Sequence, residues 1–187
     1  MAEAASDKIS KTVDDCRFKL VRGDITKQET EAVVNAANKK LAPGGGVAGA
    51  IHQAAGRQLW EECKKLNGCE TGEAKITDGY NLPASYIIHT VGPVYSNSPE
   101  DSKLLKSSYQ NSLELVRDRG LESVSFPALS TGAFGYPERE AGKIALETMI
   151  GFLKDNSQPK LIRLVLYVKS SFDLHKNLMG DIFDNSL

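Results

Sequence analysis

The sequence predicts a three-layer α/β/α fold with a central mixed, mostly parallel sheet, and three observations carry that prediction. Short, β-branched apolar runs alternate with longer runs in which apolar residues recur every three or four positions. Glycine, proline and small polar residues punctuate the junctions. No internal repeat or low-complexity tract interrupts the alternation. Strands separated by helices must return across the sheet, so most neighbours run parallel and helices cover both faces.

The elements follow in order. Residues 17–21 and 31–34 read as strands. Residues 47–66 carry Val47, Ala50, Ile51, Ala54, Ala55, Leu59 and Cys63 at helical spacing, with Gln53, Arg57, Lys64 and Lys65 outside the stripe. One long buried helix is expected there. Strands follow at 73–77 and 86–91, the second closed by Gly92 and Pro93. Residues 102–119 are helical, with Leu105, Tyr109, Leu113 and Val116 on one face and Gly120 as the stop. A strand at 122–126, a helix at 138–155, a strand at 161–167 and a terminal helix at 172–183 complete the pattern. Residues 1–14 read as a tail or an extra helix ahead of a single domain spanning 1–187, with 96–102 and 155–160 as surface loops.

Composition narrows the function classes. A length of 187 residues suits one domain with a large core. Hydrophobic residues at 41% and charged residues at 25% are a globular balance. A net charge of -1 provides no global attraction to nucleic acid or membrane. No apolar run approaches the roughly 20 residues of a membrane span, and the first eleven residues lack the apolar centre of a secretory signal. An odd set of cysteines, Cys16, Cys63 and Cys69, fits free, half-buried thiols in a reducing, intracellular compartment rather than a zinc site.

Two strand-to-helix loops hold the unusual residues, where open α/β sheets bind ligands. The first runs Asn35-Ala36-Ala37-Asn38 and reaches Gly44-Gly45-Gly46 before a helix. Three glycines let an anion approach main-chain N–H groups, and the helix N-terminus adds about half a unit of positive charge. The second, residues 127–137, contains Ser130, Thr131, Gly132, Ala133 and Phe134. Two such loops suit a diphosphate held between them. Gly44, Gly46 and Gly49 also spell a dinucleotide fingerprint, but nine residues separate the strand from the first glycine and no acid ends a second strand. No Gly-Lys-Ser/Thr occurs, which removes the Walker A loop.

Gly23-Asp24-Ile25-Thr26, Val33-Val34-Asn35-Ala36-Ala37-Asn38, Gly44-Gly45-Gly46-Val47 and Ser130-Thr131-Gly132 resemble the macrodomain pattern in order and spacing. The wording of 66–72, 74–77 and 88–93 is similar to the MacroD type. The resemblance implies ADP-ribose as ligand, with no cofactor and no metal. It implies that Asp24 and the Ile25 backbone meet adenine and that Tyr167 stacks on it, with core packing as the rival role for Tyr167. Asn35 and Asn38 would orient the distal ribose. Gly45, Gly46, Val47 and Ala48 would hold the diphosphate with Ser130, Thr131, Gly132, Ala133 and Phe134, and Phe134 would also position the ribose.

The resemblance further implies removal of mono-ADP-ribose from acidic side chains of proteins and deacylation of O-acetyl-ADP-ribose. The implied partners are ADP-ribose and mono-ADP-ribosylated proteins, handled by a monomer in cytoplasm or nucleus, with ADP-ribosylated nucleic acid not indicated and no membrane. Family members usually carry Asp directly after Gly-Gly-Gly-Val, and here that position is Ala48. Three readings accommodate the alanine: water activated by the substrate's own phosphate and oriented by Asn38, a non-catalytic ADP-ribose reader, or a substitution introduced into an otherwise active enzyme. Of the histidines, His52 is expected to pack near the loop, His89 to be structural and His175 to lie at the surface.

Overall fold

A computed structural model of the chain describes residues 7–184. Among the described residues seven strands make one sheet: β1 (Lys8–Val13), β2 (Cys16–Arg22), β3 (Ala32–Ala36), β4 (Ala74–Asp78), β5 (Tyr86–Thr90), β6 (Ser123–Phe126) and β7 (Leu161–Leu166). The spatial order is β1-β2-β7-β6-β3-β5-β4. The central five strands run parallel, and the outer strands β1 and β4 pair antiparallel. The mixed, mostly parallel sheet is as the alternation predicts.

Helices α1 (Gly46–Ala55) and α2 (Arg57–Lys65) cover one face, burying Ile51, Ala55, Leu59 and Cys63 against Val33 and Ile87. Helices α3 (Pro99–Asp118), α4 (Glu138–Asp155) and α5 (Lys169–Asp184) cover the other, where Leu105, Leu113, Leu146, Met149 and Met179 meet Leu20, Val34, Phe126 and Leu164. Each fully buried aliphatic side chain contributes roughly 1.5–3 kcal/mol.

Four expectations need correction. The single helix over 47–66 is two helices, because Gly56 at φ +93° ends α1 and opens α2. Any Cβ at Gly56 would lie 2.9 Å from Asn81 Nδ2. The apolar stripe stays continuous since both helices pack on one face. The N-terminal stretch is neither tail nor helix over its described part: Lys8–Val13 is an edge strand in register with β2 from Lys8↔Val21 to Val13↔Cys16. Residues 1–6 of that expectation lie outside the described residues. His175 is not at the surface. It is fully buried where α5 crosses α4, its Nδ1 donating to Ser171 O at 2.8 Å, and Gly142 leaves it room. The cysteines are buried rather than half-buried, and burial pushes the Cys63 and Cys69 thiols up to about 11.

His52, His89 and His175 are all buried, and burial lowers the pKa of each below 6.5. The unfolded chain therefore takes up protons that the folded chain refuses as pH falls through 6.5. Stability is complete above that value and declines below it, for His89 down to about 3. Each histidine contributes up to about 1.4 kcal/mol per pH unit in that window. Urea unfolding at pH 7 and pH 5 is expected to show a lower midpoint at pH 5, with a smaller difference in His175→Asn. Equal midpoints would contradict the buried, neutral histidines.

Candidate functional site

Strands β2, β7, β6 and β3 lie side by side and parallel, so their carboxyl ends open on one edge. At about 4.8 Å per strand, that edge spans roughly 14 Å. The residues singled out by the sequence gather along it.

The β3 end carries the glycine loop. Asn38 shapes its approach: Oδ1 accepts from Lys40 N at 3.1 Å and Ala42 N at 3.0 Å, while Nδ2 donates to Ala42 O at 2.9 Å. These bonds form a local Asx turn, which competes with regular structure and holds residues 38–42 compact. Leu41, at φ 56°, points fully buried into the core below. Gly45 caps α1 without any side-chain bond, leaving the first-turn N–H groups open to an anion. Gly49, one turn along, passes so close to the loop that a Cβ there would sit 2.4 Å from Gly44 O.

The β6 end supplies the facing wall. Ser130 takes φ 66°, is buried, and its Oγ has no partner among the described residues. Tyr136 N donates to Ser130 O at 2.9 Å, Gly135 N to Gly132 O at 3.0 Å, and Thr131 Oγ1 to Ala128 O at 3.0 Å. Two supports were not legible in the sequence. The buried Tyr109 hydroxyl of α3 accepts from Leu129 N at 2.9 Å. Tyr95 donates its N–H to Phe134 O at 2.8 Å and packs its ring 4.8 Å from that of Tyr136. The long α3 stripe suggests only core packing for Tyr109, since an aromatic at a buried helical position does not reveal what its hydroxyl reaches.

Between the walls lies a cavity of about 320 Å³, lined by Ala36 to Asn38, Gly44 to Ala48, and Ala128, Ser130, Gly132, Ala133 and Phe134. None of the lining side chains is charged. An anion there would be held by N–H groups, hydroxyls and the α1 dipole. A larger groove of about 700 Å³ between α4 and α5 mixes Arg139, Lys143 and Lys154 with Glu140, Glu147 and Asp181, away from the strand ends. Opposite charges there neutralise one another. Among the described residues, no three metal-ligating side chains converge.

The far end of the edge belongs to β2 and β7, joined where Gly23 N donates to Leu166 O at 2.9 Å. Asp24 caps the single 3-10 turn Ile25–Lys27, its Oδ1 accepting from Thr26 N at 2.8 Å and Thr26 Oγ1 at 2.7 Å. Ile25 is buried beneath. Tyr167, directly after β7, is 80% exposed, which removes core packing as its role.

Asn35 departs from its expected role as a ribose ligand. Its side chain is fully buried on the α1–α2 face of β3 and does not line the cavity. Its Nδ2 lies 3.1 Å from Nδ1 of His89, its partner in register on β5. One strand position decides the face, and Asn35 shares that of Val33. His52 also stands behind the wall, buried and outside the cavity lining, with a pKa lowered by burial. It packs against the His89 ring, centroids 6.4 Å apart, and offers no base to the cavity. The acid missing at Ala48 has no substitute among the residues lining the cavity.

The Macro domain family model matches residues 34–145. A Macro domain-containing protein of Methanosarcina mazei is 52% identical over 167 residues, spanning 89% of each chain. Mouse MACROD2, described as an ADP-ribose glycohydrolase, is 46% identical over an alignment taking in 98% of this chain and 37% of that protein. The chain thus spans well under half the length of that relative. Among solved structures, an Oceanobacillus iheyensis macrodomain with ADP superimposes with a TM-score of 0.93 at 40% identity, covering 95% of this chain and 97% of that one. A Trypanosoma brucei macrodomain in complex with ADP-ribose gives 0.83 at 38% identity, covering 87% and 69%. With its strand order, its two facing loops and these relatives together, the chain belongs to the Macro domain family.

Proposed function

We propose that the chain binds ADP-ribose along the β2-β7-β6-β3 edge and hydrolyses mono-ADP-ribose from acidic side chains of proteins. One observation carries the reading: an uncharged cavity between two N–H-rich loops at the β3 and β6 ends, on the same sheet edge whose β2 and β7 ends carry Asp24 and an exposed Tyr167. Asp24 accepts from the adenine amino group, and Tyr167 stacks on the ring. The diphosphate lies between the α1 N-terminus and the Ser130 loop. The distal ribose rests between Asn38 and Phe134, whose ring closes the cavity.

The reaction class is hydrolysis of the ester joining ADP-ribose to a carboxylate, with water adding to the scissile bond and free ADP-ribose and the restored acid leaving. O-acetyl-ADP-ribose presents the same ester class. Ala48 occupies the first turn of α1 beside the cavity and can neither accept a proton nor orient water. Water activation then falls to the ligand's own phosphate, with Asn38 fixing the ribose. A second reading, an ADP-ribose reader without turnover, is favoured by the same alanine.

Incubating the chain with mono-ADP-ribosylated protein and following free ADP-ribose separates the two. Release above the spontaneous rate supports the hydrolase, and tight binding without release supports the reader. Phe134→Ala is expected to weaken ADP-ribose binding by roughly ten- to a hundredfold, the equivalent of burying one aromatic side chain. Unchanged affinity by calorimetry would remove Phe134 from the site.

A further inference from the structure

Three polar side chains from three strands meet in the core behind the cavity. Asn35 on β3 and His89 on β5 are fully buried, and Thr77 on β4 is 3% exposed. Asn35 Nδ2 stands 3.1 Å from His89 Nδ1, and His89 Nε2 stands 2.9 Å from Thr77 Oγ1. Thr77 Oγ1 donates its own proton to Asp78 O at 3.2 Å, which leaves it an acceptor toward the ring. With the Asn35 amide donating to Nδ1, the imidazole proton sits on Nε2, which faces Thr77 Oγ1 and, at 3.8 Å, Cys63 Sγ. Every bond points the same way, from β3 across β5 to β4. Burying three polar groups where valines would pack costs stability, and Asn35 Oδ1 is buried without a partner among the described residues, so the network is retained at a cost to the core.

The His89 ring touches β3 and α1, the two elements that flank the glycine-loop wall. Asn35 is three residues ahead of Asn38, and the chain between them is tied down by Ala37 N donating to Thr90 O at 2.9 Å. His52, from α1, packs its ring against His89. We propose that the Asn35–His89–Thr77 relay is a positioning device that holds Asn38 at the height needed to read the distal ribose, so that it sets the preference for ADP-ribose over ADP. This rests on the ADP-ribose reading above. The three residues touch no ligand themselves. They act through Asn38, so their loss is felt only by a ligand that carries the second ribose.

Calorimetric titration with ADP-ribose and with ADP tests this in the unaltered chain, Thr77→Val, Thr77→Ser and Asn35→Ala. Thr77→Val keeps the shape and removes the acceptor, while Thr77→Ser keeps the acceptor. The expected result is an affinity for ADP-ribose about tenfold lower in Thr77→Val and Asn35→Ala, with ADP affinity essentially unchanged and Thr77→Ser like the unaltered chain. A purely structural network would lower both affinities together or only the melting temperature, and either outcome overturns the proposal. Nitrogen NMR of the His89 ring gives a readout that needs no ligand: a proton on Nε2 is expected, and one on Nδ1 overturns the relay. An unaltered chain that binds neither ADP-ribose nor ADP defeats the binding reading itself, a result distinct from unchanged selectivity in Thr77→Val.

Discussion

Gly49→Ala is expected to reduce ADP-ribose affinity on the order of a hundredfold while the fold survives. The added Cβ would lie 2.4 Å from Gly44 O, well inside any tolerated contact, and the opposing atom is backbone. Something must shift, and the loop is the softer partner because the space beside Gly45 and Gly46 is open, with nothing within 4 Å of a Cβ built on either. Moving Gly44 moves the N–H groups that face the diphosphate, and displacement by about 1 Å is enough to cost roughly a hundredfold. A counter-effect exists: alanine is the better helix former by up to about 1 kcal/mol. That gain offsets part of the strain in the stability of α1 but does nothing for the loop. Melting and binding should therefore part company, with little change in Tm and a large change in Kd. Affinity equal to that of the unaltered chain would show that the glycine loop does not hold the ligand.

Ala48→Asp has the opposite sign, a gain of at least about tenfold in release of ADP-ribose from a modified glutamate. A general base typically contributes about 10²–10⁴-fold, and the lower bound applies because the α1 N-terminus favours the carboxylate form and makes it a weaker base. The site tolerates the change structurally, since Ala48 lines the cavity on the first turn of α1, where an acid is favourable by about 0.3–1 kcal/mol. Proximity to the diphosphate works against binding, so Kd is expected to rise modestly while the single-turnover rate climbs. Single-turnover release and calorimetry on one preparation separate the effects. Unchanged turnover with intact binding would remove Ala48 from the account of catalysis.

The parts of the fold that show in the sequence are those whose burial leaves a pattern. The central strands carry β-branched runs because both faces are covered, and α4 is bounded as its periodicity predicts, from Glu138 to Asp155. Strand β1 leaves almost no such trace, with Val13 its only buried residue. The break at Gly56 is invisible to periodicity because α1 and α2 share one apolar face. In the site, the loops and their glycines are legible since anion binding needs unusual residues there. Asn35 shows the limit of that legibility. Its place in the motif suggests a ligand contact, but strand alternation turns it into the core toward His89, and only the register of β3 with β5 reveals the partner. Tyr109 and Tyr95 hold the second loop through one hydroxyl and one backbone N–H, contacts that no spacing encodes.

The central claim is that the diphosphate of ADP-ribose lies against the α1 N-terminus, and calorimetry of Gly45→Glu beside the unaltered chain tests it most directly. Gly45 has extended backbone at φ -88° and open space around it, so a glutamate enters without strain. Its carboxylate would stand where the phosphates bind and repel them. Saturable one-to-one binding of ADP-ribose to the unaltered chain, with binding abolished in Gly45→Glu at unchanged Tm, is the result predicted here. Equal affinity in the two proteins would contradict it.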